Sequence, residues 1–223
     1  MALRRWAGEF AGGTVATAMA TLNARHPWSH NDHFHSWILA NLPEHRRAAL
    51  DVGCGRGELV AALAPRFEAV HGTDRDEEML RRAGARCAGL PNVTIDGRSW
   101  TDATGPYDLI TMVAVLHHLD VADALAEVRR LLAPGGRFLA VGLAPPRSAA
   151  DHLWDLASAV TNPVIGYVKH PWPSTDDPVR PFPVQDPTVP LDDLREIVLD
   201  VMPGAVIRRR LGFRHTIAWT KPS

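Results

Sequence analysis

Acidic and imidazole side chains recur in this chain where short apolar runs end. Ala48-Ala49-Leu50 leads into Asp51, Val52, Gly53, Cys54, Gly55, Arg56 and Gly57. Ala69-Val70-His71-Gly72-Thr73 leads into Asp74, and Val93-Thr94-Ile95 leads into Asp96. A fourth run, 107–113, passes through Leu116 into His117 and His118. In an open parallel sheet the carboxyl ends of the strands face the crevice where ligands bind, so these side chains converge. Carboxylates there accept from hydroxyls or pair with an ammonium group, and a histidine of near-neutral pKa takes up or gives a proton.

The glycine loop indicates the kind of ligand. Glycine allows positive φ and close approach of backbone amides to a bound molecule. A dinucleotide fingerprint has its third glycine three places after the second. Here that place is Glu58. A carboxylate at the start of a helix repels the pyrophosphate such a helix would hold. Asp51 and the loop amides suit an amino-acid moiety instead, which carries both an ammonium and a carboxylate. Asp74 lies about 20 residues beyond the loop at a strand end, where one carboxylate takes both hydroxyls of a ribose. Its other reading is a helix cap.

The stretch from Leu50 to Gly57 resembles the first motif of the class I S-adenosylmethionine-dependent methyltransferases. Two further segments share the resemblance. One is Tyr107-Asp108 opening an apolar strand that ends in Leu116-His117-His118-Leu119, and the other is Leu132-Ala133-Pro134-Gly135-Gly136 before another apolar run. The three arrive in family order over residues 46–143. The resemblance implies S-adenosylmethionine as cofactor, S-adenosylhomocysteine as product, and methyl transfer to a nitrogen or oxygen, and the aromatic and apolar content of the N-terminal helices and the proline-rich stretch favours a small molecule as acceptor. It implies cofactor contacts from Asp51, Gly53, Cys54, Gly55, Asp74, Arg75, Gly97, Arg98, Ser99, Val113 and His118. His30, Phe34 and His35, in the segment before the first motif, join them as a lid. The 96–100 loop would hold the adenine. Arg98 stands there where an acidic side chain is usual, which leaves the amides of Arg98 and Ser99 to read the ring. His117, His118 and His30 are the candidate catalytic residues, and His35 and Tyr107 are further groups able to take a proton.

The elements that position these groups follow from periodicity. Residues 1–43 read as helical, with a break at His26-Pro27-Trp28-Ser29 and a second helix over 32–41. Leu59, Val60 and Leu63 mark a helix after the glycine loop, and further helices are expected over 76–88, 120–132, 148–161 and 191–201. Pro134, Gly135 and Gly136 are expected to stop a helix and set a turn before the fifth strand. The runs 205–210 and 214–220 read as an antiparallel hairpin. The proline-rich stretch 163–190 carries aromatic residues and reads as a substrate lid. The expected fold is a Rossmann-like α/β domain. It has a seven-stranded, mostly parallel sheet with helices on both faces, a C-terminal antiparallel hairpin and an N-terminal helical cap. It divides into a cap (1–45), a cofactor core (46–143), a lid insertion (144–190) and a C-terminal helix and hairpin (191–223).

Composition narrows the class of partner. The chain has 223 residues, 46% hydrophobic and 22% charged, with a formal net charge of −1. That balance gives no global field for nucleic acid or an anionic membrane, and no run is long and apolar enough to span a bilayer. Arg208-Arg209-Arg210 reads as a solvated strand edge. Cys54 and Cys87 have no metal-ligand spacing and read as reduced thiols of a cytoplasmic protein. The histidines at 26, 30, 33 and 35 lack the carboxylate or cysteine frame of a metal site, so no metal is expected. A nicotinamide-dependent oxidoreductase and a non-catalytic S-adenosylmethionine-binding protein are the competing readings. An RNA methyltransferase fits less well, because no RNA-binding module is readable. The acceptor, its reacting atom and the oligomeric state are not written in any motif.

Overall fold

The computed structural model describes residues 30–145, 187–210 and 214–223. The helices expected within 1–29 and over 148–161, the greater part of the proline-rich lid and the link at Leu211 and Gly212 lie outside the described residues.

Seven strands form one sheet: β1 (Ala48–Val52), β2 (Ala69–Thr73), β3 (Val93–Asp96), β4 (Tyr107–Val113), β5 (Leu132–Leu143), β6 (Val206–Arg210) and β7 (Arg214–Thr220). Their order is β3-β2-β1-β4-β5-β7-β6. The first five are parallel, and β7 runs antiparallel between β5 and β6. Strand order reverses between β1 and β4, which opens a crevice at their carboxyl ends. The helices are α1 (His30–Leu39), α2 (Glu58–Leu63), α3 (Glu77–Cys87), α4 (Val121–Leu131) and α5 (Leu191–Val201).

Alternation along the central strands builds two cores. Leu50, Val52, Ile110, Met112, Phe138 and Ala140 share one apolar cluster with Leu125 and Val128 of α4 and Leu194 and Val198 of α5. Ala49, Leu109, Leu139 and Val141 point the other way and join Ile38 of α1 and Leu59, Val60 and Leu63 of α2. Because successive side chains in a strand face opposite sides, a strand covered on both faces must be apolar throughout. Helix starts are set by carboxylates: Asp76 accepts from the amides of Glu78 and Met79, and Asp120 accepts from Asp123. Asp108, buried at the start of β4, holds the entry to β1. Its carboxylate accepts from the Arg47 amide at 2.8 Å and from the Arg47 guanidinium at 2.7 Å.

The structure departs from expectation at the Pro-Gly-Gly segment. No separate turn precedes β5; the chain passes directly from Leu131 of α4 into Leu132 of the strand. Leu132 pairs with Tyr107, and the register then shifts before Arg137 pairs with Leu109. Pro134, Gly135 and Gly136 form this irregularity, with Gly135 at φ 74°. Lys221 fixes it, because its carbonyl accepts from Gly135 and its amide donates to Gly136, both at 2.9 Å. The glycines thus absorb a bulge within a strand. The arginines of 208–210 stand on edge strand β6, as expected.

Candidate active site

The loop after β1 is locked by backbone geometry. Gly53, Gly55 and Gly57 have φ values of 69°, 53° and 76°. At Gly53 a Cβ would also run into Val115, so neither conformation nor space admits a side chain. The amides of Gly53 and Cys54 both donate to the Thr73 carbonyl at the end of β2, at 2.8 and 2.9 Å. The Gly55 amide donates to Asp74 Oδ2 at 2.8 Å, and Asp74 Oδ1 accepts from the Asp76 amide at 2.9 Å. Asp74 therefore joins the glycine loop to the start of α3. It stands just past the end of β2 and orders the helix entry, although the cap of α3 is Asp76 rather than Asp74.

Asp51 lies at 3% exposure in β1, and its Oδ1 accepts from the Thr111 hydroxyl of β4 at 2.6 Å. Burial pushes its carboxyl up to about 7. The Thr111 hydrogen bond opposes that shift, and the nearby charges of Asp74 and Glu58 add to it. A buried carboxylate among like charges is a site for a cationic group. Cys54, in the same loop, is a buried free thiol whose pKa burial drives upward, so it stays un-ionised.

The end of β3 is built from charged contacts. Asp96 accepts from the Arg98 amide at 3.1 Å and from the Arg98 guanidinium at 2.8 Å, and the net effect lowers its pKa although burial opposes it. The Arg98 amide is thus already engaged within its own loop. The Ser99 hydroxyl pairs with that of Thr101 at 2.7 Å. Gly97, Arg98, Ser99 and Arg75 are exposed. His71 of β2 stands 3.2 Å from Asp96 and 3.4 Å from the Tyr107 hydroxyl. Neither Thr111 nor His71 figures among the sequence-derived site residues. Thr111 had a signal, as a polar residue inside an apolar strand; His71 had the matching one, as an imidazole inside β2.

Beyond β4 the chain turns sharply. Val113 is half-buried, and Ala114 adopts φ 59° while its amide donates to the Val141 carbonyl at 2.7 Å. A non-glycine residue in this conformation costs about 1–2 kcal/mol. The strained bend delivers the Leu116–His118 turn to the sheet edge. The His117 and His118 rings lie 4.0 Å apart, tilted by 39°. Burial, with His118 and Arg214 nearby, pushes His117 down to about 4.

The lid residues divide. Phe34 is 6% exposed and belongs to the apolar cluster of α2 and β5, whereas His35 is half-buried. His30 begins α1, and its side chain lies outside the described residues. So the ends of β1, β2 and β3 gather Asp51, the glycine loop, Asp74 and Asp96, while His117 and His118 stand across β4. Among the described residues no group of three or more His, Cys, Asp or Glu could hold a metal, and no helix is long and apolar enough to cross a membrane.

Residues 49–136 match the family described as "Methyltransferase domain". An uncharacterized methyltransferase of Mycobacterium tuberculosis is 35% identical over 199 residues, covering 88% of this chain and 98% of that protein. A trans-aconitate 2-methyltransferase of Methylobacterium radiotolerans is 38% identical over 138 residues, 60% of this chain and 52% of that protein. Among solved structures, magnesium protoporphyrin IX methyltransferase of Synechocystis with bound S-adenosylhomocysteine has the same fold, with a TM-score of 0.55 and 20% identity over 98% of this chain and 92% of that one.

Proposed function

The chain belongs to the class I S-adenosylmethionine-dependent methyltransferase family, and from that premise we propose that it moves a methyl group to a nitrogen or oxygen of a small molecule. The observation that carries this reading is that the glycine loop leaves buried Asp51 and is held by Asp74 through the Gly55 amide.

The residues present fit the cofactor. Among the described residues Asp51 has no cationic hydrogen-bond partner, and burial, with the nearby charges of Asp74 and Glu58 adding to it, keeps it partly protonated at neutral pH. An amino-acid ammonium is the group that relieves that strain. Asp74 holds two amides but keeps lone pairs for hydroxyls. The bound cofactor supplies a methyl already activated by a positive sulfur. The chain's own work is therefore to align donor and acceptor and to exclude water. In this reading Gly53, Cys54 and Gly55 line the amino-acid end and Arg75 flanks the ribose. Asp96, Gly97, Arg98 and Ser99 border the adenine. Val113 and His118 lie beneath the sulfur, and Phe34, His35 and His30 close the site from α1.

His117, with its pKa held near 4, is a weak base at neutral pH and acts as an aligning contact to the acceptor. His118 and His30 remain the groups proposed to take a proton from an acceptor that must lose one. The trans-aconitate relative is named for a small organic acid, which supports a small-molecule acceptor. Cytoplasmic residence belongs to the same reading and rests on the buried thiols of Cys54 and Cys87.

Calorimetry with S-adenosylhomocysteine, NAD and NADP tests the cofactor: only the first should bind, and Asp74→Ala should weaken it. A labelled-methyl assay on pooled small amines, phenols and acids tests the reaction. Binding without transfer to any pool would make the chain a binding protein rather than an enzyme.

A further inference from the structure

Across β4 from the cofactor residues, the ends of β5 and β7, the Leu116–His118 turn and the start of α5 enclose a hollow. Its walls include Leu116, Leu143 and Leu194, and two imidazoles, His117 and His215, face into it. His215 is 3% exposed, and among the described residues neither of its ring nitrogens has a hydrogen-bond partner; His117 Nδ1 is likewise buried and unpartnered there. Leaving a buried polar group unsatisfied costs on the order of 1–3 kcal/mol. The ring is nonetheless built in with care. His215 stands opposite Gly142 in the β5–β7 register, and a Cβ on Gly142 would strike the imidazole. Glycine at 142 therefore clears the space that the ring occupies.

Two arginines act on these imidazoles. Arg214 acts on both imidazoles and Arg209 on His215. Together with burial, which is the larger cause, they hold both rings near pKa 4 and therefore neutral at neutral pH. Each neutral ring offers one N–H donor and one acceptor nitrogen. An amine, charged as an ammonium, would meet repulsion from Arg214 here. An anionic oxygen would find donors and a favourable field.

We propose that this hollow is the acceptor pocket and that its acceptor is a small carboxylic acid, with its apolar body against Leu116, Leu143 and Leu194 and its carboxylate on the N–H groups of His117 and His215. This rests on the methyltransferase reading. An acid is ionised at neutral pH, so the reaction needs no base. A lone pair of one carboxylate oxygen forms the new C–O bond as the methyl's bond to sulfur breaks. The anion and the sulfonium become a neutral ester and a neutral thioether, and no proton is left over. Weakly basic imidazoles suit that chemistry, since their task is to hold the oxygen rather than to deprotonate it.

The test uses the full chain saturated with S-adenosylhomocysteine. Benzoate and hexanoate, each against its primary amide, are titrated by calorimetry and by imidazole ¹⁵N chemical shifts. The acids should bind with Kd below about 10 mM and shift the His117 and His215 resonances, with the amides at least about tenfold weaker. His215→Leu should weaken acid binding at least about tenfold and leave S-adenosylhomocysteine affinity within about twofold. Its thermal midpoint without ligands should hold or rise by a few degrees, because an unpaired polar group has been removed. A histidine kept only for structure would lower that midpoint and leave acid binding unchanged. His117→Gln gives a second variant if His215→Leu does not fold. Equal binding of acid and amide, or acid binding that survives both substitutions, overturns the proposal. If S-adenosylhomocysteine fails to bind while the acids still shift both imidazoles, the pocket stands and the methyltransferase reading falls.

Discussion

Asp74 and His215 stand on the same edge of one sheet, at the ends of β2 and β7, and are held in opposite ways. Asp74 is anchored locally, with amides of Gly55 and Asp76 at 2.8 and 2.9 Å on its two oxygens. His215 is more deeply buried and, among the described residues, makes no hydrogen bond through either ring nitrogen. The fields differ as well. Asp74 and Glu58 lie close enough to act on Asp51, with Glu58 itself paired to Arg56 and Arg86, whereas arginines, Arg214 and Arg209, act on His215. A cationic methyl donor on the first side and an anionic acceptor on the second would meet over β4. The hydrogen bonds of the first side tie the glycine loop to the end of β2 and the entry to α3. The unsatisfied side keeps its polar capacity for a ligand.

This contrast predicts a graded set of effects. Asp74→Ala removes the acceptor of two amides together with the proposed ribose contact. Charge-assisted bonds are worth about 1.5–3 kcal/mol each, so S-adenosylhomocysteine affinity should fall roughly 100-fold by calorimetry. A loss under about threefold would remove Asp74 from the cofactor site. Gly142→Ala should act on the other side alone. Overpacking costs about 1–3 kcal/mol, so acceptor kcat/KM should drop about tenfold while cofactor affinity is unchanged. Equal loss of both would show that the two sides are one mechanical unit.

The next effects are titrations. His117 and His215 have folded pKa values depressed from 6.5 to about 4, so the folded state binds fewer protons than the unfolded one between these values. Their contribution is complete above pH 6.5 and is lost as pH falls toward 4. Urea unfolding at pH 7 and pH 5 should show that loss, and His215→Leu should reduce it. Asp51 has the opposite sign. Its pKa is raised from 3.8 to about 7, so its contribution is complete below pH 3.8 and declines as pH rises through 7. The smallest signal follows from the same group. At pH 6 an ammonium arriving at Asp51 should expel up to about one proton, and at pH 8 almost none. Calorimetry of S-adenosylhomocysteine in buffers of different ionisation enthalpy measures this, and Asp51→Asn should abolish it.

Legibility followed the same divide. The glycine loop, the strand-end carboxylates and the strand 107–113 were readable because each depends on neighbours in sequence. Helix starts were accurate where a side chain caps its own helix, as Asp120 does for α4. The Pro-Gly-Gly segment reads as a turn, since proline and glycine usually stop a helix. Instead, Lys221 from the far end of the chain pairs with it and draws it into β5. Thr111 was passed over because its partner, Asp51, is on another strand.

By itself the sequence determined the order of strands and helices, the glycine loop and the placing of Asp51, Asp74 and His117 at strand ends, because local steric rules and hydrophobic alternation act over a few residues. Only the tertiary structure decided that β7 lies between β5 and β6, which sets His215 over Gly142 and beside His117. No local pattern encodes that meeting. It follows from which strand edge remains open once the parallel sheet has closed around its two cores, and pairing along that edge fixes the register.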